Sequence, residues 1–117
     1  MREITIEQLA AAHQDSAAFI LDVREGREYV QGHVPGAVLI PMSQLASRLG
    51  EVPKDLPVHV ICRSGNRSAS MASFLERAGV DAYSVAGGTD AWMRSGRPVV
   101  TGREPTAPGR EPADRGR

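Results

Sequence analysis

The chain has 117 residues, 41% of them hydrophobic and 24% charged, which is enough for one domain with one real core. Fourteen Lys and Arg balance fourteen Asp and Glu, and this neutrality excludes nucleic-acid binding through bulk charge. A single cysteine excludes an intrachain disulfide, and with only His13, His33 and His59 beside it the usual closed zinc site is excluded too.

Taken in chain order, Met1-Arg2-Glu3-Ile4 carries no apolar signal region, and no apolar run approaches the about 18 residues of a membrane span. The expectation is a soluble protein of a reducing compartment, most simply cytoplasmic. Thr5-Ile6-Glu7-Gln8 matches a capping box, and Ile6, Leu9, Ala10 and His13 keep the helical period. Residues 18–23 (AFILDV) form a short β-rich run. Glu25 to Gln31 then predicts a short polar helix closed by Gly32. His33 falls in a tight turn before a second run at 37–40 (AVLI) and is expected to be structural. Ser43 is placed as the cap of a helix with the stripe Met42, Leu45, Ala46 and Leu49, stopped by Gly50.

The third run, 58–62 (VHVIC), ends on the lone cysteine, and His59 within it reads as a core or edge histidine. Met71, Phe74, Leu75 and Ala78 predict the next helix. Residues 82–85 (AYSV) are the fourth run. Gly87-Gly88 reads as permissive backbone before Thr89, the expected cap of a last helix that buries Trp92. Short apolar runs alternating with helices define an α/β domain with a parallel sheet. From Thr101 the composition changes: three Gly, three Pro and no apolar side chain but Ala107 and Ala113. The expected organisation is a domain over 1–100 and a disordered tail over 101–117.

In such a sheet, sites lie at the carboxyl ends of the strands. Cys62 ends its run and is followed by Arg63, Ser64, Gly65, Asn66, Arg67 and Ser68 before the next helix. Free helix N–H groups and a loop curled at Gly65 can converge on one point as an anion nest. Arg63 and Arg67 add two positive charges, so the thiolate is favoured over the thiol. A buried structural cysteine is the plainer alternative, but it would not need five polar or glycine neighbours directly after it. Asp22 and Arg24 lie on the same edge. Asp22 is read either as the holder of a loop arginine, Arg67, or as a polar cap of the next helix.

Three segments together, LDVREGREYVQGHVPGA (21–37), VICRSGNRS (60–68) and VAGGTDAW (85–92), resemble the single-domain rhodanese family of sulfurtransferases. The resemblance covers about residues 2–100. It implies a three-layer α/β/α domain whose central parallel sheet has about five short strands, the fifth near Glu3-Ile4. It implies that Cys62 takes sulfane sulfur from a small donor such as thiosulfate, becomes a persulfide, and yields that sulfur to an acceptor. The acceptor would be a thiol, protein thiols included, or a cyanide-like nucleophile. No metal or organic cofactor, nucleic acid or membrane is called for. The Gly87-Gly88 segment would border the site. Two rivals remain: a phosphatase or arsenate reductase on the same fold, whose known relatives carry a loop one residue longer, and a non-catalytic binding module, which typically lacks the cysteine.

Overall fold

The computed structural model describes residues 1–15 and 17–106. Five strands make one sheet: β1 (Glu3–Ile4), β2 (Phe19–Asp22), β3 (Val38–Leu39), β4 (Val58–Ile61) and β5 (Ala82–Val85). Their order is β1-β5-β4-β2-β3, and every pair is parallel. The central strands read as apolar runs because both faces are covered.

On one face α3 (Asn66–Arg77) packs Ala72 and Leu75 against Leu21, Val58, Val60 and Ala82. Leu45 and Val52, from the connection that follows β3, complete this core. On the other face lie α1 (Ile6–Gln14), α2 (Gly26–Gln31) and α4 (Gly88–Arg94). They bury Leu9, Tyr29 and Trp92 against Ile20, Ile61 and Val85. The result is the expected three-layer domain.

The chain leaves β4 through α3 to β5 in one direction, and leaves β2 through α2 to β3 in the other. The carboxyl ends of β4 and β2 therefore flank the crevice where the strand order diverges, the usual place for a ligand in an open parallel sheet.

Several local expectations need correction. The helix assigned to the stripe Met42, Leu45, Ala46 and Leu49 is instead two 3₁₀ segments, Met42–Gln44 and Ala46–Glu51, with a kink at Arg48. Burying Leu45 and Val52 on the sheet decides that path over helical propensity. Thr89 does not cap α4; Gly87 occupies that position, in the left-handed region at φ 79°. Within the expected tail, the described residues 101–106 include several that bond to the domain. His33 and Val100 exchange backbone hydrogen bonds at 2.9 Å, Gly102 N–H donates to the Val30 carbonyl, and Gly36 N–H to that of Pro105. Side-chain composition missed this because backbone groups make the contacts. Residues 107–117 of the expected tail lie outside the described residues.

His33 is fully buried, stacked on the Tyr29 ring at 3.6 Å, with its ring nitrogens 2.8 Å from the carbonyl oxygens of Tyr29 and Glu104. It serves the turn that this segment straps.

Candidate active site

Cys62 follows β4 directly, and its side chain is 1% exposed. Gly65 adopts φ 112°, which turns the chain back over the sulfur and starts α3 at Asn66. Arg67 and Ser68 thus belong to the first turn of that helix, where backbone N–H groups lack internal partners. Two such donors reach the sulfur: Gly65 N–H at 3.1 Å and Ser68 N–H at 3.3 Å. The Ser68 hydroxyl lies 3.5 Å away. Burial is the largest single influence on the thiol and opposes ionisation. The Ser68 hydroxyl, with the N–H groups of Ser68, Gly65 and Ser64, outweighs it and holds the thiol below its ordinary pKa.

The loop is fastened from α4. The Cys62 carbonyl accepts from both the N–H and the hydroxyl of Thr89, at 2.8 and 3.0 Å, and the Arg63 carbonyl accepts from Asp90 N–H at 2.9 Å. This approach is possible because residue 88 is glycine. A Cβ there would sit 2.5 Å from the Cys62 carbonyl oxygen and 2.6 Å from that of Arg63.

The two loop arginines part company. Arg67 forms a two-pronged ion pair with Glu28, both contacts at 2.8 Å. That pair holds the Glu28 carboxyl down at about 2, first through the Arg67 hydrogen bonds. Arg63 is 70% exposed and lies 3.5 Å from Asp90. Neutral hydroxyl and amide dipoles lead in holding the thiol down, and the Arg67 charge, itself attracted to Cys62, adds to them. Asp22 does not hold Arg67. It is fully buried and grips Arg24 through both carboxylate oxygens, and Arg24 also donates to the Gly32 carbonyl at 2.9 Å. The two-residue spacing makes Arg24 the nearer partner. Breaking such a buried pair from one side typically costs about 3–5 kcal/mol.

A cleft of about 400 Å³ opens beside the loop, lined by Arg24, Glu28, Arg63, Asp90 and Met93 among others. A slightly larger depression of about 460 Å³, lined by Arg27, Tyr29, Leu39 and Arg103 among others, shares no residue with the cysteine loop.

Sequence reasoning brought Cys62 through Ser68 to one place and missed three supports. Glu28 was one acid in a polar helix. Thr89 looked like a cap. Ser84, a hydroxyl in the core strand AYSV, was a legible signal, since a polar side chain on a buried strand needs a partner.

The arrangement is a buried cysteine sulfur faced by neutral hydroxyl and amide donors, which favour its ionisation. Comparisons with known proteins agree on its setting. A family model described as a rhodanese-like domain matches residues 5–95. The chain is 36% identical over 102 residues to a protein of Allochromatium vinosum named sulfurtransferase, covering 86% of this chain and 95% of that one. It is 38% identical over 100 residues to thiosulfate sulfurtransferase GlpE of Actinobacillus pleuropneumoniae, covering 85% and 93%. The crystal structure of a rhodanese-related protein from Thermoplasma volcanium superimposes with a TM-score of 0.82 at 34% identity, covering 87% of this chain and all of that one.

Proposed function

The chain belongs to the rhodanese-like domain family, and from that premise we propose that it is a sulfurtransferase carrying sulfane sulfur as a persulfide on Cys62, with thiosulfate as a donor. The Cys62 thiolate attacks the outer sulfur of thiosulfate. The sulfur–sulfur bond of the donor breaks, and sulfite leaves with the electron pair. The terminal persulfide sulfur, now anionic, stays within reach of the loop donors. A thiol or cyanide-like acceptor then attacks that sulfur, and Cys62 leaves as thiolate. The cycle needs no oxidant and no metal, and the loop donors that lower the thiol pKa favour the thiolate without a side-chain base. Exposed Arg63 at the mouth of the cleft would meet the donor's sulfonate, and the loop residues Ser64 to Ser68 would line the sulfur.

The observation that carries this reading is the pair of N–H donors at 3.1 and 3.3 Å from a sulfur at the carboxyl edge of the sheet. The loop from Cys62 to Arg67 is also one residue shorter than the loop expected of phosphate-handling relatives, and a tetrahedral oxyanion needs more room than one sulfur. Mass spectrometry after incubation with thiosulfate tests the proposal. One added sulfur atom on wild type and none on Cys62→Ser is expected. No adduct, together with hydrolysis of an aryl phosphate, would replace the reading with a phosphatase. No adduct and no turnover would leave a binding module.

A further inference from the structure

Behind Ser68, on the side away from solvent, stands a second hydroxyl. Ser84 on β5 is fully buried, as is Ser68, and their Oγ atoms are 2.8 Å apart. Among the described residues, Ser68 is the only hydrogen-bond partner of the Ser84 hydroxyl. We propose that Ser84 is a positioning residue for the chemistry at Cys62: its hydroxyl donates to Ser68, so that the Ser68 hydroxyl can turn its own proton onto the thiolate. This rests on Cys62 reacting as a thiolate and not on which donor it uses.

The argument is a count of protons. A serine hydroxyl has one proton to give and two lone pairs to fill. The Ser68 proton has three takers: the Gly65 carbonyl at 3.2 Å, Ser84 Oγ at 2.8 Å and the Cys62 sulfur at 3.5 Å. While Cys62 is a thiol, its S–H donates to Ser68 Oγ, and that oxygen is satisfied with or without Ser84. When the thiol ionises, that donor is gone. Ser68 must then reverse and donate to the sulfur, and among the described residues Ser84 is left as the only side-chain donor to its oxygen. Without Ser84, a buried hydroxyl oxygen would lose its last donor in the thiolate state alone. Ser84 therefore stabilises the thiolate more than the thiol, and it does so only through Ser68. Two hydroxyls in series also polarise each other.

Position supports this. On β5, Tyr83 and Val85 alternate with Ala82 and Ser84, and Ala82 packs into the core under α3. An apolar side chain would suit residue 84 equally well for packing, so the hydroxyl is the feature that asks for a role.

The test is the titration of Cys62, the sole cysteine of the chain, followed by the ultraviolet absorbance of its thiolate with Cys62→Ser as blank. Below the thiol pKa, Ser84→Ala should hold about two- to tenfold less thiolate than wild type. Ser68→Ala should lower it at least as much, and adding Ser84→Ala to Ser68→Ala should change nothing further. The matched pair Ser84→Thr and Ser84→Val should separate in the same way, Thr keeping the low titration and Val losing it. An unshifted titration in Ser84→Ala, or an equal shift from Ser84→Ala in the Ser68→Ala background, would overturn the proposal. A wild-type thiol that titrates at its ordinary value would overturn the thiolate reading itself, which separates the two failures.

Discussion

Glu28 and Arg67 meet at 2.8 Å beside the cysteine loop, so the loop feels the difference between two opposite charges. Removing either one unbalances it in opposite senses. Arg67→Ala leaves a carboxylate near the sulfur and should raise the Cys62 thiol pKa. Glu28→Gln leaves an uncompensated guanidinium and should lower it. Each shift should stay below about one pH unit because the pair is partly exposed, and the double variant should return close to wild type. A pH titration of the thiol in the three variants checks the signs. Arg63→Ala should leave that titration unmoved, since Arg63 faces solvent and Asp90.

His59 offers a second titration, with a readout in stability. It is buried on β4, its Nδ1 lacks a partner among the described residues, and its ring meets Tyr83 edge-on. Burial pushes its pKa below the ordinary value, and Asp81 only partly opposes this. The folded protein thus keeps His59 neutral at pH values where the unfolded chain already binds a proton. The contribution is fully present above about pH 6.5, the unfolded value, and is lost as pH falls below it. Thermal unfolding at pH 7.5 and 5.5 should show a loss at the lower pH that is smaller in His59→Phe.

At the scale of elements, the site is a junction of three chain segments: the end of β4, the first turn of α3 and the first turn of α4. Thr89 and Asp90 hold the loop from the α4 side, and Gly88 allows the approach. Gly88→Ala should therefore be severe. The added Cβ would meet backbone oxygens, which cannot swing aside as a flexible side chain can. The left-handed backbone at φ 59° adds its own cost of about 1–2 kcal/mol. Chemical denaturation should show a loss above that figure, and sulfur transfer should fall even at temperatures where the variant stays folded. The capping box of α1, the end of α2 at Gly32 and the span of β5 were all legible in the sequence, because each is a local rule satisfied within a few residues. The 3₁₀ path after β3 was not, because burial of Leu45 and Val52 overrides a helical stripe.

At the scale of the whole molecule, the described chain stays bonded to the domain as far as Pro105. The strap over 100–105 bonds to Val30 in the last turn of α2 and to His33 and Gly36 in the turn that follows, through backbone groups and the His33 ring. Ending the chain at residue 99 removes these bonds, each worth about 0.5–1.5 kcal/mol, and should lower the melting temperature by at least about 5 °C. Ending it at residue 106 should leave both melting temperature and turnover unchanged. Equal loss in both truncations would move the boundary beyond 106.

The sequence by itself determined the α/β class, the parallel sheet, the cysteine at the end of a strand and the loop that curls around it. Those follow from local quantities: the lengths of apolar runs, a cysteine at a strand end, a glycine that turns the backbone, and free amides at a helix start. Only the tertiary structure decided which charge meets which. Asp22 could have faced Arg24 or Arg67, and the sheet places Arg24 on it and Glu28 on Arg67. Likewise Ser84 lies sixteen residues beyond Ser68 and reaches it only because β5 runs beside β4 under α3. Pairing across strands and layers depends on register and packing, which no short window of sequence contains.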